Sequence, residues 1–126
     1  MPVRSLDSSV LRWPEAKNVV RALRAWTAQR LAERTDIVRL GYFGSYARGD
    51  WGVGSDLDVV IVVEHADEPF ERRGAAWDVT ELPVPCDLLV YTRQEWDSLA
   101  EQGRLADRPW RDTVWIVGPA KWNEEP

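Results

Sequence analysis

The sequence predicts an α/β (α+β) fold in which a mixed β-sheet carries helices packed mainly on one face. Helical and strand-like segments follow one another in the order α-β-β-α-β-α-β. One of the strands, Leu57 to Val63, is an almost unbroken apolar run, as a central strand covered on both faces requires. At 126 residues the chain has the size of one domain, and such a chain can bury roughly two-thirds of its unfolded surface. Residues 1–126 are therefore read as a single domain, with its core at about 14–118 and a tail over 119–126.

The first helix starts at Pro14-Glu15-Ala16, with proline in the first turn and an acidic residue near the positive helix end. Val19, Val20, Leu23, Trp26 and Leu31 then follow helical spacing to about Glu33. Ile37 to Phe43 is strand-like, and glycines at 44, 49, 52 and 54 make the next stretch a turn-rich loop with room for one short helical turn. After the strand Leu57–Val63, a second helix is expected from Pro69 to about Leu82, interrupted by Gly74. Pro83 and Pro85 end it and force an extended lead-in to a third strand, Cys86 to Tyr91. Thr92-Arg93-Gln94-Glu95 has the pattern of a capping box and opens a third helix, to about Gln102. Val114 to Val117 is a short final strand.

A hydrophobic fraction of 44% and a charged fraction of 29% exclude the disordered and fibrous classes. The formal charge of −5 argues against a bare electrostatic binder of nucleic acid, and a bound phosphate must then be held by a backbone loop, an arginine or a metal. The lone Cys86 fits a reducing compartment. With no signal-like or membrane-length apolar run, a cytoplasmic location is expected. Most of the eight tryptophans should be in or near the core, with Trp110, Trp115 and Trp122 the best candidates for surface anchors.

The chemistry concentrates between Gly41 and Asp58. Asp56 and Asp58 stand two apart at the start of a strand, so the period of 2 puts both on one face. Two adjacent like charges are costly unless neutralised, and a hard divalent cation does so best. With a third carboxylate from a neighbouring strand, such a pair can hold two Mg²⁺ ions that clamp the attacking and leaving oxygens of an in-line phosphoryl displacement. Asp87, at the start of the third strand, is placed to supply that group. The competing reading makes each Asp a solvated strand-edge or turn residue.

A strand ending in Gly44-Ser45 before a short helical turn presents backbone N–H groups to one spot, which suits a phosphate, although the same pair also makes a plain strand-to-helix turn. Arg48 either neutralises phosphate charge or pairs with Asp50 or Asp56. Ser55 either caps a turn or orients Asp56. His65, just past a strand end, and Cys86, with no metal-ligand spacing to another Cys or His, are read as a surface and a core residue.

Gly44-Ser45, ten residues, then Asp56-Leu57-Asp58 resembles the signature of the DNA polymerase β-like nucleotidyltransferase superfamily. The Ala47-Arg48-Gly49 and Ser55-Asp56-Leu57-Asp58 context and the short chain are similar to its minimal nucleotidyltransferases, the MntA-like group. The resemblance covers roughly residues 37–91. It implies a polymerase-β palm-like fold, Mg²⁺, and transfer of a nucleoside monophosphate, AMP from ATP, to a hydroxyl. By match, Gly44 and Ser45 hold the triphosphate, with Arg48 and Ser55 in the same nucleotide-binding loop. Asp56 and Asp58 hold the metals, and Asp87 completes the site and helps to activate the acceptor. In that group the usual partner is a HEPN-domain toxin, which receives AMP on a tyrosine. Larger relatives that modify antibiotics carry an extra helical domain for which this chain has no room, so a protein acceptor or a shared site is expected. The alternatives are an antitoxin that acts by contact alone and a small-molecule nucleotidyltransferase working as a homodimer.

The strand period also places Asp58 with Val60 and Val62, and Asp87 with Leu89 and Tyr91. The face that bears the carboxylates is therefore apolar beyond them. Either it is left open as an interface, or the C-terminal tryptophans cover it from within.

Overall fold

The computed structural model describes residues 14–52, 54–107 and 109–118. The expected tail over 119–126, with Trp122, lies outside the described residues. The chain runs through helix α1 (Ala16–Glu33), strand β1 (Ile37–Phe43), the short helix α2 (Ser45–Arg48), strand β2 (Leu57–Val63), the short helix α3 (Phe70–Arg73), strand β3 (Cys86–Thr92), helix α4 (Arg93–Glu101) and strand β4 (Val114–Val117). The four strands form one mixed sheet in the order β3-β2-β1-β4. β1 runs antiparallel to both β2 and β4, while β2 and β3 are parallel.

β2 is central, and its apolar run is buried from Val59 to Val63. On one face Leu57, Val59, Ile61 and Val63 pack with Val90 of β3 and with Val19, Leu23 and Trp26 of α1. On the other face Val60 and Val62 pack with Phe43 and Trp96, and Leu89, Tyr91, Leu99, Leu105, Trp110 and Trp115 close around them. Of the two sequence expectations for this face, the second holds: aromatic side chains from α4 and the C-terminal segment cover it. Trp96 lies edge-on to Trp110 at 5.3 Å and to Trp115 at 5.7 Å. Trp110 and Trp115 are thus half-buried packing residues rather than free anchors.

A bulge in β1 reconciles its residues with these two layers. Ile37 pairs with Val63 but Arg39 pairs with Val62, so two steps on β1 oppose one on β2. The extra residue shifts the alternation, which places Ile37 with Leu40 and Tyr42 on the α1 face and Val38 on the other. Further along, Gly41 lets β4 come close. A Cβ there would lie 2.6 Å from the Val114 carbonyl oxygen and 2.8 Å from the Trp115 ring. Gly41→Ala should cost about 2 kcal/mol through this overpacking. Thermal unfolding checks it, and a melting temperature unchanged to within about one degree would contradict this packing.

Two expectations are corrected. Leu31 does not join the buried stripe of α1; it is 41% exposed. The place four residues beyond Trp26 is taken instead by Arg30, whose guanidinium lies 5.4 Å over the Trp26 ring. The second helix does not run from Pro69 to Leu82. It ends at Arg73, passes through one tight turn over Gly74–Ala76, and gives way to turns. The Asp78 side chain accepts hydrogen bonds from the Thr80 N–H at 3.0 Å and hydroxyl at 2.6 Å, a local alternative to helix. Its carbonyl accepts the Trp26 indole N–H at 2.8 Å, and Trp77 turns into the core beside Trp26.

The capping box at Thr92 forms as the sequence predicts. The Thr92 hydroxyl accepts the Glu95 N–H at 3.2 Å, and the Glu95 carboxylate accepts the Thr92 N–H at 2.9 Å. The same carboxylate receives the buried Arg73 guanidinium at 2.6 Å, which ties α3 to the start of α4. Arg73 holds the Glu95 carboxyl below its ordinary range.

Candidate active site

Asp58 and Asp87 are register partners on the parallel strands β2 and β3. Asp58 is also opposite Phe43, the last residue of β1. The three strand ends therefore meet at one edge of the central sheet, with Gly44 immediately beyond. Asp58 is half-buried, while Asp56 and Asp87 are exposed. Burial pushes the Asp58 carboxyl above its ordinary range, and the charges of Asp87 and then Asp56 push it the same way. The charge of Arg48 opposes them. Asp58 thus experiences both other carboxylates and the nearest cation, and its ionised form is held at a cost.

Gly44 abuts this group. Its backbone has φ 77° and ψ −151°, a conformation that side-chain-bearing residues rarely adopt. A Cβ built on it would collide with the Asp58 carboxylate. The turn can therefore approach Asp58 only as glycine. Gly44 then caps α2, and its carbonyl accepts the Ala47 and Arg48 N–H groups at 3.0 Å. Ser45, half-buried, begins that helix, whose first amides have no acceptor within it.

The structure brings Gly44 and the carboxylates together, but Arg48 and Ser55 make other bonds. The Arg48 guanidinium donates to Asp50 at 3.1 and 3.4 Å, on the exposed side of the loop. The Ser55 hydroxyl accepts the Gly52 N–H at 2.8 Å and the Ser55 N–H returns to the Gly52 carbonyl at 2.9 Å, so Ser55 closes a turn one residue before Asp56. Two residues passed over in the sequence support this loop. Tyr46 is buried and its ring stacks on Trp51, with centroids 5.8 Å apart and planes at 10°. Two aromatic side chains in an otherwise small and polar loop were the available signal.

The donors fit a hard cation. They are carboxylate oxygens, and the neighbouring Cys86 thiol is pushed up to about 12 by burial and by the charges of Asp87, Asp58 and Asp56, which keeps it a neutral thiol. Among the described residues, no three of His, Cys, Asp or Glu are already arranged to hold a metal ion. His65 is exposed, as expected of a surface residue.

The domain is an α+β one, a mixed four-stranded sheet with α1 on one face and α4 on the other, where the sequence pattern predicted helices mainly on one face; the aromatic side chains of α4 and the C-terminal segment bring that helix onto the second face. The chain belongs to the nucleotidyltransferase domain family, whose model matches residues 25–110, and so to the DNA polymerase β-like superfamily. Transfer of a nucleoside monophosphate is the general activity of this family. The fold is similar to the crystal structure of a candidate nucleotidyltransferase from Sulfolobus solfataricus. The two share 18% identity at a TM-score of 0.59, over 84% of this chain and 86% of that one. No protein of curated function matches the chain. Among the described residues no helix is long and apolar enough to cross a membrane.

Proposed function

We propose that the chain is a Mg²⁺-dependent nucleotidyltransferase that moves AMP from ATP to a hydroxyl of a protein, the HEPN-type toxin paired with it. The observation that carries this reading is the pairing of Asp58 with Asp87 in register, beside a glycine whose backbone touches the Asp58 carboxylate. In the reaction, the acceptor oxygen forms a bond to the α-phosphorus, the bond from that phosphorus to the α,β-bridging oxygen breaks, and pyrophosphate leaves with that oxygen. Asp56, Asp58 and Asp87 would hold two Mg²⁺ ions, which supply charge stabilisation to the phosphoryl group and leaving group. Gly44 and Ser45 hold the triphosphate, Ser55 shapes the turn that delivers Asp56, and Arg48 lends positive charge to the loop. Asp87, the exposed member of the pair, takes the proton of the acceptor hydroxyl. The protein acceptor and the toxin–antitoxin setting rest on the Ala47-Arg48-Gly49 and Ser55-Asp56-Leu57-Asp58 context. The setting is cytoplasmic, where the lone Cys86 remains reduced.

The reading predicts that ATP binds only with Mg²⁺. A chain of net charge −5 with three carboxylates at its site repels an unaccompanied triphosphate. Calorimetry with ATP in Mg²⁺ and in EDTA tests this, and equal affinity in the two buffers would sink the metal-dependent site.

A further inference from the structure

The signature has two halves, Gly44-Ser45 and Asp56-Leu57-Asp58, joined by a connection that must set one against the other. The strands on either side fix its ends, since Phe43 and Asp58 are register partners. Between them the chain forms one four-residue helix and then a loop containing Gly49, Gly52 and Gly54. A Cβ at any of these three glycines would meet open space, so local packing does not restrain the backbone there. Gly49 and Gly54 have φ of 87° and 90°, which marks two sharp changes of direction.

Local bonds hold the two ends of this loop, Gly49 and Asp50 to Ser45 and Gly52 to Ser55, and an aromatic pair links them. Tyr46, one residue beyond Ser45, is 5% exposed, and its ring stacks in near-parallel fashion on Trp51. Its hydroxyl donates to the Ser55 carbonyl at 3.4 Å. One side chain from the Gly44-Ser45 half thus holds both the middle of the loop and the residue that precedes Asp56. Tyr46 belongs to the core layer on the α1 face of the sheet, and Trp51 packs against that layer. Asp58 shares the opposite face with Val60 and Val62. The stack therefore lies behind the site, where it supports the loop without facing the reacting groups.

We infer that the Tyr46–Trp51 stack is a positioning clamp that sets Asp56 against the Gly44-Ser45 turn, and that Trp51 is a positioning residue for nucleotidyl transfer. This rests on the proposed function for its catalytic consequence, but not for its physical one. Without the Trp51 ring, the backbone bonds from Gly49 and Asp50 to Ser45 remain, but the packing that holds Trp51 against Tyr46 is lost, and Asp56 samples positions away from the phosphate turn. Misplacement of a reacting group by about 1 Å can cost a hundredfold in rate.

The test compares Trp51→Ala and Trp51→Phe with the natural protein, full chain in each case. The first readout is amide hydrogen exchange at Ser55 and Leu57. Exchange there should quicken by about tenfold or more in Trp51→Ala, be largely restored in Trp51→Phe, and stay unchanged in α1 and β2 beyond Val59. The second readout is AMP transfer: Trp51→Ala should lose kcat by about tenfold or more and need more Mg²⁺ for half-maximal rate, with Trp51→Phe close to natural. Exchange at Ser55 and Leu57 that is no faster in Trp51→Ala overturns the clamp. So does quickened exchange with an unchanged kcat and Mg²⁺ requirement, which would leave the stack a stabiliser only. If the natural protein transfers nothing and binds no Mg²⁺-ATP, the proposed function fails instead, and the exchange measurement alone decides the clamp.

Discussion

Asp58→Asn should abolish transfer and raise the melting temperature in metal-free buffer at neutral pH. The catalytic loss follows from removing a charged metal ligand. A metal ion supplies several kcal/mol to the transition state, and at 1.36 kcal/mol per tenfold the rate should fall by about a thousandfold. The stability gain follows from the direction in which Asp58 is perturbed. Its carboxyl is raised by burial, and further by Asp87 and Asp56. Folding therefore favours the protonated form, and the stability this confers is present below the unfolded value of about 3.9 and lost as pH rises through the higher folded one. At neutral pH the ionised Asp58 opposes folding, and Asn removes that opposition. The gain should shrink as pH falls below the unfolded value. Thermal melts of both proteins across pH 3 to 8 check it; a variant less stable at pH 7 in metal-free buffer would give Asp58 a structural role.

Gly44→Ala should reduce transfer by about a hundredfold through displacement of Asp58, an effect comparable to a 1 Å error in a catalytic group. The φ 77°, ψ −151° conformation is essentially restricted to glycine and costs a residue with a side chain about 1–3 kcal/mol, and the new Cβ also collides with the Asp58 carboxylate. The two contributions separate in a double-mutant cycle. In an Asp58→Ala background the collision is gone and only the backbone strain remains, so Gly44→Ala should cost less there. An identical stability cost in both backgrounds would show that Gly44 and Asp58 do not touch.

The carboxylate edge of the sheet was legible because local rules decide it. An apolar run fixes β2, a period of 2 fixes which residues share its faces, and the prolines at 83 and 85 fix where β3 begins. The capping box at Thr92 was legible for the same reason, since all its partners lie within four residues. The region after Pro69 was not. Its helical spacing is overridden by a distant bond, from the Trp26 indole to the Asp78 carbonyl, that periodicity cannot show. The bulge at Val38–Arg39 was likewise hidden, because only the need to place Ile37 and Leu40 on one face reveals it. The apolar face behind Asp58 and Asp87 could be read, but not which of its two possible covers applies. That was settled by Trp96, Trp110 and Trp115, which meet it from distant parts of the chain. In the site itself, Arg48 was open to a phosphate or to a carboxylate, Asp50 or Asp56, and the structure pairs it with Asp50. The support that Tyr46 gives the loop depends on a ring contact across five positions, which no spacing rule for turns contains.

Transfer of a nucleoside monophosphate to a protein hydroxyl, the function proposed for this chain, leaves a label whose origin can be traced. The most direct measurement incubates the chain with Mg²⁺ and a HEPN-type protein as the proposed acceptor, using ATP labelled at the α-phosphorus in one arm and at the γ-phosphorus in the other. Label should be fixed to the partner's hydroxyl from α-labelled ATP only, with one pyrophosphate released per AMP fixed and no labelling in EDTA or with Asp58→Asn. A partner that binds this chain tightly yet stays unlabelled, or that takes label from the γ-position, would contradict it.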